Sequence, residues 1–134
     1  MLAEGVNLLP EVNHDGKQRV ANRGYRFKNV CIVGCGSVGN TMLRGLSKEP
    51  ALNVFGVDKN VGGRRERVTT GEGKSLEIYK QPDKMKGADI VFVCVGTPYS
   101  DKGMDLSYVY EVGMTIGEVL RGSDRQRMVV LRST

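Results

Sequence analysis

Gly34, Gly36 and Gly39 stand directly behind the apolar run Val30 to Val33, and the next apolar run, Asn53 to Val57, closes on Asp58. This order constrains the fold more than any other feature of the chain. It predicts a strand, a glycine turn, a helix, and a second strand tipped with a carboxylate.

The rest of the chain continues that alternation. Lys28 to Val33 is β-branched and apolar on both faces, which predicts a central parallel strand. Val38, Met42, Leu43 and Leu46 then recur at helical spacing until Pro50. Val54 to Val57 predicts a second strand, Ser75 to Tyr79 a weaker third, Asp89 to Val95 a fourth and Met128 to Leu131 a fifth. Between the second and third strands, Gly62, Gly63, Gly71 and Gly73 break up a charged stretch, and Pro82 to Lys86 supplies only about a turn of helix. Asp105 is placed to cap a helix whose apolar face carries Leu106, Val109, Tyr110, Ile116 and Leu120, with Gly122 as its stop. Strands alternating with helices imply right-handed crossovers, hence a Rossmann-like, doubly wound α/β domain over residues 28–134 with about five parallel strands in the order 3-2-1-4-5. Residues 1–27, where Gly5, Pro10, Gly16 and Gly24 interrupt polar sequence, read as a flexible or loosely docked extension, and His14 as a solvated loop histidine.

Composition narrows the function. A chain of 134 residues is one domain's worth and buries roughly two-thirds of its unfolded surface. The net charge of +5 is spread over scattered side chains, apart from Arg64, Arg65 and Arg67, which favours a solvated basic surface over a nucleic-acid site. Cys31, Cys35 and Cys94 are odd in number and form no C-x-x-C pair, so neither a disulfide framework nor a metal site is expected. Met1 to Pro10 lacks a basic segment leading into a long apolar one, and no apolar run approaches the roughly 20 residues of a membrane span, so a cytoplasmic protein is expected.

In the 3-2-1-4-5 order, the switch point falls between strands one and four and brings the Gly34 turn beside the Gly96 loop, at the carboxyl ends of the strands. Gly34 permits the tight exit from the strand, Gly36 a close approach of backbone to a pyrophosphate, and Gly39 close packing of helix on sheet. The N–H groups of Ser37 and Val38 open the helix, where unpaired donors and the positive end of the dipole attract phosphates. Asp58 can accept both hydroxyls of an adenosine ribose, which favours NAD. A 2′-phosphate near 4 Å from that carboxylate meets a repulsion on the order of 4 kcal/mol at an effective dielectric of 20. Lys59, Arg64 and Arg65 are close enough in sequence to offset it, so NADP stays open. Cys35 sits inside the turn with no base nearby, which argues against a nucleophile.

A second constellation is more specific. Val93 to Pro98 reads V-C-V-G-T-P, Asp101 to Val109 reads D-K-G-M-D-L-S-Y-V, and the last residues are Val129 to Thr134, V-V-L-R-S-T. Together with the glycine turn, these segments resemble the amino-terminal NAD-binding domain of the UDP-glucose/GDP-mannose dehydrogenase family, from Lys28 to Thr134. The resemblance implies oxidation of the C6 alcohol of a nucleotide sugar to a carboxylate in two NAD-dependent steps. It implies that Gly34, Gly36, Ser37, Val38, Gly39, Asp58, Lys59, Val95, Gly96, Thr97 and Thr134 bind the cofactor. Val38 would meet the pyrophosphate through its N–H, Thr97 would lie near the nicotinamide half, and Thr134 at the catalytic edge. The family's nucleophilic cysteine, lysine and asparagine belong to a substrate domain, before which this chain is expected to stop. No catalytic or metal-binding residue is therefore assigned. NAD binding without complete catalysis is expected, with the nucleotide sugar reached through that further region and a homodimer formed by the full-length protein. One departure is the stretch Lys59 to Lys74, which stands where the family places a helix and an E-P-G-L-like segment. A non-catalytic dinucleotide-sensing or interaction module, and the cofactor domain of another two-domain NAD(P) dehydrogenase such as a 3-hydroxyacid type, remain alternatives.

Overall fold

The computed structural model describes residues 11–12, 18–19 and 27–132. Glu11–Val12 (β1) pairs antiparallel with Gln18–Arg19 (β2). Apart from Phe27, the remainder of the expected extension, His14 included, lies outside the described residues, as do Ser133 and Thr134.

The domain is built on Asn29–Val33 (β3), Ser37–Leu46 (α1), Asn53–Val57 (β4), Arg65–Thr69 (β5), Ser75–Tyr79 (β6), a 3-10 helix over Pro82–Gly87, Ile90–Val93 (β7), the small hairpin Tyr99–Ser100 (β8) and Gly103–Met104 (β9), Ser107–Val119 (α2) and Met128–Leu131 (β10). Six strands form one sheet in the order β10-β7-β3-β4-β6-β5. Five of them are parallel and reproduce the order 3-2-1-4-5, with β3 central: Cys31 lies between Phe55 and Val91, and Val33 between Val57 and Val93.

The sixth strand, β5, was not expected. It pairs antiparallel with β6 over its whole length, so the sheet is mixed. The stretch between the second and third strands thus makes a hairpin, closed by Thr70 and Gly73: the Thr70 N–H donates to Lys74 O at 2.8 Å, the Gly73 N–H to Thr70 O at 2.9 Å, and Gly73 takes a φ of +82°. Arg67 pairs across the strands with Glu77 at 3.0 Å, and Lys74 Nζ reaches back to Ser47 O at 2.9 Å. The hairpin is therefore fastened to the end of α1. Its outer edge presents Arg65, Glu66 and Arg67 to solvent, whereas the opposite edge strand, β10, exposes Met128, Val129 and Leu131.

Two apolar layers flank the sheet. Val30, Ile32, Val54, Leu76 and Ile78 pack with Leu43 of α1 on one face, and Cys31, Val33, Val57 and Val91 pack with Met85 and Val112, Ile116 and Val119 on the other. Full burial of such a side chain contributes about 1.5–3 kcal/mol, so these layers carry most of the favourable free energy of folding. The seating of α2 differs from the expected face. Val112, Ile116 and Val119, spaced i, i+4 and i+7, meet the sheet, while Tyr110 is 69% exposed. The helix begins at Ser107, so Asp105 stands one residue before the cap, yet its Oδ1 still accepts the Ser107 N–H at 2.9 Å.

Asp89 clamps the start of the sheet. Its Oδ2 accepts the N–H groups of Lys28 at 2.9 Å and Asn29 at 2.8 Å, and its Oδ1 pairs with Arg125. Desolvation alone pushes this carboxyl up, but the bonds from Asn29, Lys28 and Arg125 outweigh it and hold the group below its ordinary value. A depressed carboxylate stabilises the fold above its unfolded pKa, and that contribution is lost as pH falls through the folded one. Asp89→Asn is expected to cost about 2 kcal/mol at pH 7, with the gap from the wild type closing below about pH 4. Urea midpoints across that range will check it, and a gap independent of pH would be the wrong outcome.

Candidate cofactor-binding site

The strand β3 delivers the chain to Gly34, whose φ of +86° belongs to the left-handed region and whose N–H donates to Val57 O at 2.9 Å. A Cβ there would also come within 3.0 Å of Val95 N, so the turn sits directly against the exit of β7. At Gly39 a Cβ would fall 1.8 Å from Gly34 O, which shows how closely α1 packs on the turn. Space is open around Gly36.

The helix α1 first bonds internally through the Asn40 N–H to Gly36 O at 2.8 Å, and no acidic side chain stands in its first turn. The positive end of its dipole is therefore not neutralised from within the helix. Asp58 leaves β4 beside it. One carboxylate oxygen accepts the Cys35 N–H at 2.8 Å and the other the Asn60 N–H at 2.9 Å. Each oxygen keeps capacity for a second donor, such as a ribose hydroxyl.

A cavity of about 620 Å³ opens over the carboxyl ends of these strands. From the expected set, Gly34, Gly36, Asp58, Lys59, Val95 and Gly96 line it, while Ser37, Val38, Gly39 and Thr97 are their chain neighbours and do not themselves form the wall. Thr134 lies outside the described residues. Its volume falls within the usual range for small-molecule sites. The cradle of Gly34 and Gly39, the open space at Gly36 and the anchored carboxylate of Asp58 suit a dinucleotide.

Part of the wall was missed in the sequence. Tyr108, Glu111, Val112 and Thr115 of α2 line the cavity, as do Lys80, Pro82 and Met85 beyond β6. Their 108-111-112-115 spacing marks one helical face, and a mixed polar and apolar face beside the switch point was the available signal. Lys59 Nζ donates to Glu111 Oε1 at 3.1 Å and Oε2 at 3.3 Å, and lies 5.4 Å from the centre of the Tyr108 ring.

The three cysteines are poor nucleophiles. Burial, with the neighbouring Asp58 and Cys94 adding to it, pushes the Cys35 thiol up to about 12. Burial raises Cys31 and Cys94 as well. No group of His, Cys, Asp and Glu able to hold a metal ion occurs among the described residues, nor any helix long and apolar enough to cross a membrane.

A mainly parallel sheet with a glycine turn at its switch point, a carboxylate on the adjoining strand and a cavity above both defines a Rossmann-like dinucleotide-binding domain. Comparison with known proteins narrows the class. The NAD binding domain of the UDP-glucose/GDP-mannose dehydrogenase family matches residues 62–134, just over half of the chain, and the chain belongs to that family. It is 38% identical over 87 residues to GDP-mannose 6-dehydrogenase of Pseudomonas putida, which takes in 64% of this chain and 18% of the relative. It is 33% identical over 109 residues to UDP-glucose 6-dehydrogenase of Bacillus subtilis, 76% of this chain and 21% of that enzyme. The fold is also that of UDP-D-ManNAc dehydrogenase from Pyrococcus horikoshii, with a TM-score of 0.62 at 24% identity over 79% of this chain and 28% of the other. The chain thus spans about a fifth of the length of the two curated relatives named.

Proposed function

We propose that this chain forms the NAD-holding part of a nucleotide-sugar 6-dehydrogenase, which oxidises a sugar C6 alcohol to a carboxylate. The observation that carries the proposal is the convergence of three separate segments on one cavity: the glycine turn, Asp58, and the V-G-T-P turn whose Val95 leaves no room for a side chain on Gly34. In this reading Gly34, Gly36 and Gly39 shape the phosphate seat, Ser37 and Val38 donate N–H groups to the pyrophosphate, Asp58 and Lys59 hold the adenosine end, and Val95, Gly96 and Thr97 border the nicotinamide half. Thr134 completes the catalytic edge. NAD, when bound, accepts the hydride. The chain's own residues bind and orient it, and no raised thiol among them supplies a nucleophile. Residues 28–134 act as the cofactor domain and 1–27 as an extension to it, with the sugar nucleotide held by other parts of the enzyme.

Calorimetric titration tests this directly. The purified chain is expected to bind NAD and to leave it oxidised when UDP-glucose or GDP-mannose is added; steady reduction of NAD by the chain alone would overturn the division of labour. Asp58→Asn is expected to weaken NAD at least about tenfold, since it removes charge from two ribose hydrogen bonds worth about 1.5–3 kcal/mol each in favourable cases. Circular dichroism of the same variant separates lost binding from lost fold.

A further inference from the structure

We infer that Glu111 sets the cofactor preference of this cleft by holding Lys59 in an ion pair, so that a dinucleotide with a free 2′-hydroxyl is favoured over one carrying a 2′-phosphate. The inference rests on the cofactor reading above. A 2′-phosphate beside Asp58 brings nearly two negative charges against a carboxylate, and it can be accommodated only if a cation is free to turn toward it. Lys59 is the next residue along the chain. Its ammonium is already bonded to both oxygens of Glu111, at 3.1 and 3.3 Å, and lies 5.4 Å from the Tyr108 ring centre.

The charge balance points the same way. The formally charged side chains lining the cavity are Asp58, Lys59, Lys80 and Glu111, which sum to zero. The lining side chains therefore offer an entering 2′-phosphate no net charge to attract it. Removing the Glu111 charge leaves a net +1 and releases the lysine nearest to the ribose. Both members of the pair are more than half exposed, at 59% and 54%, so the effect is moderate and screened by salt.

ADP-ribose and 2′-phospho-ADP-ribose serve as probes, titrated calorimetrically into the wild type, Glu111→Gln, Lys59→Met and the double variant. Glu111→Gln is expected to shift the affinity ratio about fivefold toward the phosphorylated ligand at low salt, less at high salt. The shift is expected to vanish when Lys59 is Met. An unchanged ratio in Glu111→Gln, or an equal shift without Lys59, would overturn the inference. A wild type that binds neither ligand would instead bring down the cofactor reading, and this inference with it. Since the readout is a ratio between two ligands on one protein, a general loss of folded protein does not move it.

Discussion

Gly39→Ala is expected to abolish NAD binding and to destabilise the domain by at least about 3 kcal/mol, a large share of the 5–15 kcal/mol that hold such a domain together. A glycine inside a helix ordinarily gains up to about 1 kcal/mol on becoming alanine. Here the new Cβ falls 1.8 Å from Gly34 O and 2.9 Å from Gly34 C, both backbone atoms that no rotamer change can move. Either α1 lifts off the turn or the turn deforms, and in both cases the phosphate seat is lost. Gly45, in the same helix, has nothing within 4 Å of its would-be Cβ and is the control: Gly45→Ala is expected to stabilise by about 0.5–1 kcal/mol. Guanidinium midpoints of the two variants moving in the same direction would sink this account of the helix–turn contact.

Gly56→Ala is expected to come next, at about 2–3 kcal/mol, and its cost depends on a residue far away in sequence. A Cβ on Gly56 would meet the Cys35 thiol at 2.5 Å and Ile78 Cγ1 at 3.2 Å. Cys35 cannot yield freely, because its own N–H is bonded to the Asp58 carboxylate at 2.8 Å and its thiol to Ile32 O at 3.6 Å. Pushing the thiol displaces the turn and with it the carboxylate proposed to hold the ribose, so NAD affinity should fall alongside stability. Cys35→Ala vacates the sulfur's space, and the double variant is expected to recover at least about 1 kcal/mol of the loss. Strictly additive effects in that cycle would show that the thiol is not the obstacle.

The readable part of this fold is the part where one residue type has one physical use. Val30 to Val33 is apolar on both faces because β3 is covered on both, and the central strand and the 3-2-1-4-5 order follow from it. Asp58 at a strand end was legible for the same reason. The strand β5 was not: it lies at an edge, its Arg67 is bonded to Glu77 across the pair with Arg65 3.9 Å from the same carboxylate, and Val68 is its lone apolar side chain, so neither period nor hydrophobicity announces it. The helix α2 misled in a different way. Apolar residues occur on several of its faces, and which of them seats is decided by Met85 and Val91 opposite, which no local pattern reveals. The cleft-facing side, with Tyr108 and Glu111, was hidden by the same abundance.

The sheet described above also has a polarity of growth. At β5 it is terminated, since an incoming strand would face Arg65, Glu66 and Arg67 and would have to strip water from charges that gain no partner. At β10 it is open among the described residues: no further strand pairs there, and Met128, Val129 and Leu131 stand exposed beside it. Like a chain polymer with one blocked and one living end, the described sheet leaves room for a further strand on one side alone.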